Sequence, residues 1–226
     1  MKILAAGSLR AVWQPLITAW QEEADCEFGP AGLLRERIAA GEPCDFFASA
    51  NMAHPQALLE SGQALAVSRF ASNRLCLSVR ADKVRQGEDW LSLLTRPDLR
   101  IGASTPGCDP SGDYAQQLFT RMGVAGETVR KRTVALVGGR NTLPLPPGVL
   151  AAQWLIENDH TDLFIGYASY APRLRQIATL RVVEIPEPYN PVVDYGFACL
   201  SERGKAFAAF LLSPQARLIL QQHGFN

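Results

Sequence analysis

The chain has 226 residues, 47% hydrophobic and 19% charged, with 22 basic and 22 acidic side chains and a formal net charge of zero. Such a composition builds a buried core and excludes a disordered chain. No run approaches the ~20 continuous apolar residues of a membrane span, and the missing basic excess argues against a nucleic-acid partner.

The chain opens on Ile3-Leu4-Ala5-Ala6, a strand that ends at Gly7-Ser8. From Leu9 to Trp20 the apolar residues Val12, Trp13, Leu16, Ile17 and Trp20 fall at helical spacing, with Pro15 marking a kink or a helix start. The unit recurs: Glu27-Phe28, the turn Gly29-Pro30-Ala31-Gly32, then a helix through Leu33, Leu34, Arg37 and Ile38 that Gly41 ends. Cys44 to Ser49 is a short strand, and Pro55 to Glu60 a helix stopped by Gly62. Asn73 to Arg80 alternates as a strand, Asp89 to Leu94 is a short helix, and Arg100 to Ser104 is a strand entering Thr105 to Gly112. A helix follows from Tyr114 to Met122, after which the dense basic run Arg130-Lys131-Arg132 reads as a solvated loop or helix end. Thr133 to Val137 is a strand before Gly138 to Thr142, a helix is expected from about Pro147 to Asn158, and Leu163 to Tyr167 is a strand. Tyr195 to Leu200 is the last strand, and Gly204 to His223 reads as one amphipathic helical tail. Strands alternating with helices of this length predict an α/β fold with a largely parallel sheet.

Four junctions share one design. A strand ends in a small-residue or Gly/Pro turn and a helix begins at Gly7-Ser8, at Gly29 to Gly32, at Pro110-Ser111-Gly112 and at Gly139 to Thr142. Ligands of open α/β sheets sit at the carboxyl ends of strands. A helix amino end offers unbonded N–H groups and a positive dipole end, so several together make an anion site without a charged side chain. Ser8, Ser111 and Thr142 would add hydroxyl donors; each taken alone reads equally as a helix cap.

Catalytic signals are poor. His54, His160 and His223 lie in helix or loop segments without metal-helix spacing, and the five cysteines form no C-x-x-C pair. Cys76 and Cys199 read as core thiols, Cys108 beside Asp109 lacks an evident base, and Asp45 reads as a turn tie. No enzyme, cofactor or cation-ligand set is expected.

The ordered segments resemble the molybdate/tungstate-binding proteins of ABC importers. The resemblance is carried by Ala5-Ala6-Gly7-Ser8-Leu9, by Gly32 through Ala50, by Asp109-Pro110-Ser111-Gly112-Asp113-Tyr114-Ala115, by Ile165-Gly166-Tyr167-Ala168-Ser169, and by the final helix to Gly224-Phe225. It implies a type II periplasmic-binding-protein fold, an α/β architecture of two lobes with a ligand cleft and hinge. Lobe one would be 1–78 with 195–226, and lobe two 79–194. It further implies that Ser8, Ala31 and Gly32 from one lobe and Ser111, Thr142 and Tyr167 from the other bind a small oxyanion such as molybdate or tungstate. The implied partner is an ABC importer permease, the implied state a monomer, the implied location the periplasm. Met1-Lys2 runs straight into a strand and not into the apolar core of a signal peptide. A replaced leader and a cytoplasmic ligand sensor are therefore both open, as is an enzyme on the same scaffold.

The sequence departs from the family in two places. No hydroxyl stands at Pro30, Ala31 or Gly32, where the family has a second serine, so backbone N–H groups must serve there. Asp109 and Asp113 flank the second-lobe loop and would repel an anion if they pointed inward, with Arg140 available to compensate.

Overall fold

The computed structural model describes residues 1–146 and 148–226. In chain order its elements are β1 (Lys2–Ala6), α1 (Arg10–Trp20), β2 (Asp25–Gly29), α2 (Ala31–Ala39), β3 (Phe46–Ser49), α3 (Ala53–Glu60), β4 (Ala66–Asn73), β5 (Leu75–Arg80), α4 (Trp90–Thr95), β6 (Ile101–Ser104), α5 (Pro110–Arg121), α6 (Val124–Arg132), β7 (Thr133–Val137), α7 (Ala151–Glu157), β8 (Leu163–Tyr167), α8 (Ala171–Leu174), β9 (Leu180–Glu184), β10 (Val193–Cys199), α9 (Glu202–Leu211) and α10 (Pro214–Gln222). The chain divides into two compact units, Met1–Asn73 with Val193–Asn226, and Arg74–Val192.

The first unit is built on a five-stranded sheet of order β2-β1-β3-β10-β4. β2, β1 and β3 are parallel, while β10 runs antiparallel to both β3 and β4. The spacing of Val12, Trp13 and Leu16 puts all three on the buried face of α1. The Trp13 indole meets the rings of Phe28, Phe46 and Phe207, with centroids 5.8 to 6.5 Å apart. This aromatic cluster pins α1 and α9 to one face of the sheet. Pro15 lies inside α1 and starts no helix. The expected single helical tail is two helices: Ser213 accepts the Ala216 N–H as an N-cap, and Pro214 occupies the first helical position of α10. The chain end is tied to β4, where Ser72 and Asn226 exchange backbone hydrogen bonds of 2.6 and 2.9 Å.

The second unit repeats the plan with order β7-β6-β8-β5-β9. β7, β6 and β8 are parallel, and β5 is antiparallel to β8 and β9. Both sheets are therefore mixed rather than largely parallel. The strands that the sequence pattern leaves undetected, β4 and β9, are the edge partners of these antiparallel strands. A core of Val137, Leu155, Ile156, Phe164, Leu174 and Leu180 packs α7 against the sheet. α5 and α6 touch backbone to backbone at Gly126, where a Cβ would fall 1.8 Å from the Phe119 carbonyl oxygen. α7 begins at Ala151; the expected start at Pro147 lies outside the described residues.

Candidate functional site

In each unit the parallel strands end together and present their loops on one side. In the first unit Ala6 pairs with Gly29, so the Gly7-Ser8-Leu9 turn after β1 stands beside the Pro30-Ala31 turn after β2. Pro30 is the N-cap of α2 and carries no N–H, and no side chain caps this helix. The N–H groups of its first turn, beginning with the buried Ala31 and Gly32, have no partner within the helix. Ser8 lies in the short 3₁₀ turn that leads into α1. Its Oγ accepts a hydrogen bond of 2.9 Å from the Tyr195 hydroxyl, which enters from the amino end of β10. A hydroxyl has one proton; with a lone pair taken by Tyr195, the Ser8 proton remains for donation. The turns carrying Ser8 and Ala31-Gly32 are thus neighbours, and Tyr195 joins Ser8 from the last strand of the sheet.

In the second unit Ser104 pairs with Val137 at the ends of β6 and β7. The loop after β6 is pulled back on itself. Thr105 donates to the Val137 carbonyl through both its N–H and its hydroxyl, and Gly107 N–H donates to Asp113 Oδ1 at 2.7 Å. α5 packs so tightly on this loop that a Cβ at Gly112 would meet Pro106 N, Ser104 O and Thr105 C within 2.6 Å. Asp109 is the N-cap and accepts the Ser111 N–H at 3.1 Å. Ser111 itself lies within the first turn and is buried. Its expected role as a cap therefore passes to Asp109.

Asp109 is half-buried. Burial pushes it up to about 6; the Ser111 N–H and Ser104 hydroxyl pull the other way, and Asp113 adds to the rise. The Asp109 carboxylate is turned toward the Ser111 N–H and Gly138. Gly138, with φ of +77°, leaves room for it: a Cβ there would lie 2.7 Å from Asp109 Oδ2.

Thr142 closes the neighbouring loop. Its hydroxyl accepts from Gly139 N–H at 3.0 Å and donates to the Gly139 carbonyl at 3.1 Å. No helix begins at Gly139 to Thr142, contrary to expectation; the chain there makes bends and a turn. The Thr142 hydroxyl is committed to this turn. Tyr167 ends β8 and is buried, and Arg140 is exposed.

The remaining chemistry-bearing residues are dispersed. Among the described residues no group of three or more His, Cys, Asp or Glu could hold a metal ion. His160 stacks on Trp154, and His223 Nδ1 meets the Ile219 carbonyl at 2.9 Å. Burial pushes the Cys44 and Cys199 thiols up to about 11 and Cys76 to about 12, far from thiolate reactivity. Asp45 ties down a turn, accepting Lys2 N–H and the Ser201 hydroxyl at 2.8 and 2.6 Å. Arg130-Lys131-Arg132 ends α6, where Arg132 donates to the Arg96 and Leu99 carbonyls. The basic run is structural, and the two loop clusters are arrays of hydrogen-bonding groups without a nucleophile–base pair.

Comparison with known proteins agrees with this inventory. The family described as bacterial extracellular solute-binding protein matches residues 1–226. The chain is 44% identical over 211 residues to an uncharacterized protein of Pasteurella multocida, covering 89% of this chain and 87% of that one. It is 26% identical over 240 residues to the molybdate-binding protein ModA of Escherichia coli, covering 99% and 88%. Its fold is similar to the periplasmic molybdate-binding protein of Azotobacter vinelandii, with a TM-score of 0.80 at 19% identity over 100% and 98% of the chains. It is also similar to the sulfate-binding protein SubI of Mycobacterium tuberculosis, with a TM-score of 0.76 at 17% identity over 100% and 85%.

Proposed function

Because this chain belongs to the bacterial extracellular solute-binding proteins, we propose that it captures a small oxyanion in the periplasm and hands it, as a monomer, to the permease of an ABC importer. The observation that carries this reading is the open amino end of α2. There two buried residues, Ala31 and Gly32, offer N–H groups that no side chain caps, beside a Ser8 hydroxyl whose proton Tyr195 leaves for donation. Such an array attracts negative charge without supplying a full countercharge. It binds by hydrogen bonds alone and does no chemistry on what it holds.

Ser8, Ala31 and Gly32 of the first unit are the donors this reading assigns to the ligand. Thr142 shapes its loop by donating its hydroxyl proton to the Gly139 carbonyl. Molybdate and tungstate are the first ligands to try, since two relatives of the same fold are molybdate-binding proteins. The missing hydroxyl at positions 30–32 is replaced in this reading by backbone N–H groups.

The test is titration calorimetry of ligand-stripped protein with molybdate, tungstate, sulfate and phosphate in turn. Saturable binding of at least one, weakened in Ser8→Ala, is the expected result. Silence with all four would refute the oxyanion reading and direct the search to organic solutes.

A further inference from the structure

A run of rings crosses the first unit: Phe46 meets Phe197, Phe197 meets Phe70, Phe70 meets Tyr195, and Tyr195 meets Phe225. Tyr195 alone of the five carries a hydroxyl. Its ring is fully buried, edge-on to Phe225 with centroids 5.2 Å apart at 90°, and 6.1 Å from Phe70 at 73°. Phenylalanine would pack in this place without a polar group to desolvate. The hydroxyl that tyrosine adds meets Ser8 Oγ at 2.9 Å. A small tilt of the ring is magnified at that oxygen, the atom farthest from the backbone, and a bond of this length tolerates little displacement.

Both flanking rings are themselves fixed. Tyr195 pairs with Ala71 and Gly196 with Arg69, so Phe70 is the extra residue of a β-bulge in β4, a device that re-aims a side chain. Phe225 follows Gly224, whose φ of +82° turns the chain back after α10. The Phe225 N–H donates to the Leu220 carbonyl at 3.1 Å, and Asn226 exchanges two backbone hydrogen bonds with Ser72. Ser72 pairs with Asp194, the neighbour of Tyr195. The segment after α10 is therefore fastened to the strand pair that carries the tyrosine.

We propose that Phe70 and Phe225 are positioning residues for oxyanion binding, clamping the Tyr195 ring so that its hydroxyl holds Ser8 ready to donate. The proposal rests on the oxyanion reading above and adds to it residues that contact no ligand. Ser8 is only half-buried, in a short turn, where its side chain has three staggered wells to choose from. The bond from Tyr195 selects one of them and leaves the serine proton for the ligand.

The test is a double-mutant cycle read by calorimetry, with the tightest binder among molybdate, tungstate, sulfate and phosphate as the probe. Phe225→Leu and Phe70→Leu keep apolar bulk and remove a ring; the second, at a half-buried position, serves if the first does not fold. Each is expected to weaken binding by about threefold, short of the about fivefold of Tyr195→Phe. In a Ser8→Ala background the same changes should act by less than about 1.5-fold, because the group they position is gone. Phe207→Leu is the control, a buried ring that touches Trp13, Trp20 and Phe46 and not Tyr195; it should lower the melting temperature and leave affinity within about 1.5-fold. Equal weakening with and without the Ser8 hydroxyl overturns the proposal, since the rings then act on the fold at large. Unchanged affinity in both ring variants overturns it too, as does a Phe207 variant that weakens binding as much as they do. A wild type that binds none of the four oxyanions is a different failure, which removes the oxyanion reading and this proposal with it.

Discussion

Replacing Asp109 by Asn should make the protein more stable at neutral pH and leave it nearly unchanged in acid. Burial raises this carboxyl from an ordinary 3.8 to about 6, a rise of about two pH units at about 1.4 kcal/mol each, or about 3 kcal/mol as an upper bound. An acid whose folded value is raised binds its proton more readily in the native state. Its stabilising contribution is complete below about pH 4, falls as pH rises toward 6, and is gone above that. Asn keeps the cap on Ser111 N–H and has no charge to desolvate. The difference in unfolding free energy, variant minus wild type, should therefore be small at pH 4, grow through pH 5 and 6, and level off near 2–3 kcal/mol at pH 8. Urea unfolding at five pH values measures it. All other titrating groups are common to both proteins and largely cancel in the difference. A difference that is flat between pH 4 and pH 8 would refute the claim that the carboxyl is buried against the α5 loop.

Asp162 carries the opposite sign. Hydrogen bonds from Arg100 hold its carboxyl at about 2, so its contribution is present above about pH 4 and lost as pH falls toward 2; Asp162→Asn should cost about 2 kcal/mol at pH 7 by urea unfolding, and an unchanged midpoint would count against it. Ser8→Ala should weaken binding of whichever oxyanion is recovered by about 1–3 kcal/mol, and Tyr195→Phe by about 1 kcal/mol through loss of the bond that fixes the Ser8 proton. Equal calorimetric affinities in wild type and both variants would remove the site from this end of the first sheet. Gly126→Ala forces α5 and α6 apart, since its methyl would overlap the Phe119 carbonyl. A loss above about 4 kcal/mol is expected, and a melting temperature within a few degrees of wild type would contradict the packing.

Much of this protein is legible from one sequence because its signals are local. Helical spacing at Val12, Trp13 and Leu16, stop glycines at 41 and 62, and apolar runs at β1, β3, β6 and β8 set the α/β class, since each reports a period or a turn within a few residues. Strand–turn–helix junctions at Ser8, Ala31 and Ser111 identify the ends of the parallel strands as the place to look for a ligand. What escaped the sequence depends on residues far apart in the chain. β4 reads Ala-Val-Ser-Arg-Phe-Ala-Ser-Asn, with no clean alternation, and is a strand because β10 pairs with it from Val193 to Cys199. The tail breaks where Ser213 can cap a new helix and Pro214 can begin it. The Tyr195–Ser8 bond spans 187 positions, and no local pattern announces it. The sequence placed Asp109 beside a presumed anion site but carried no information on where its side chain points. That direction is decided by the close approach of Gly138, the Ser104 hydroxyl and the Ser111 N–H, a tertiary arrangement that exists only once β6, β7 and α5 have packed. Local chemistry set which elements form and where donors gather; packing set which of those donors are spent on partners within the protein.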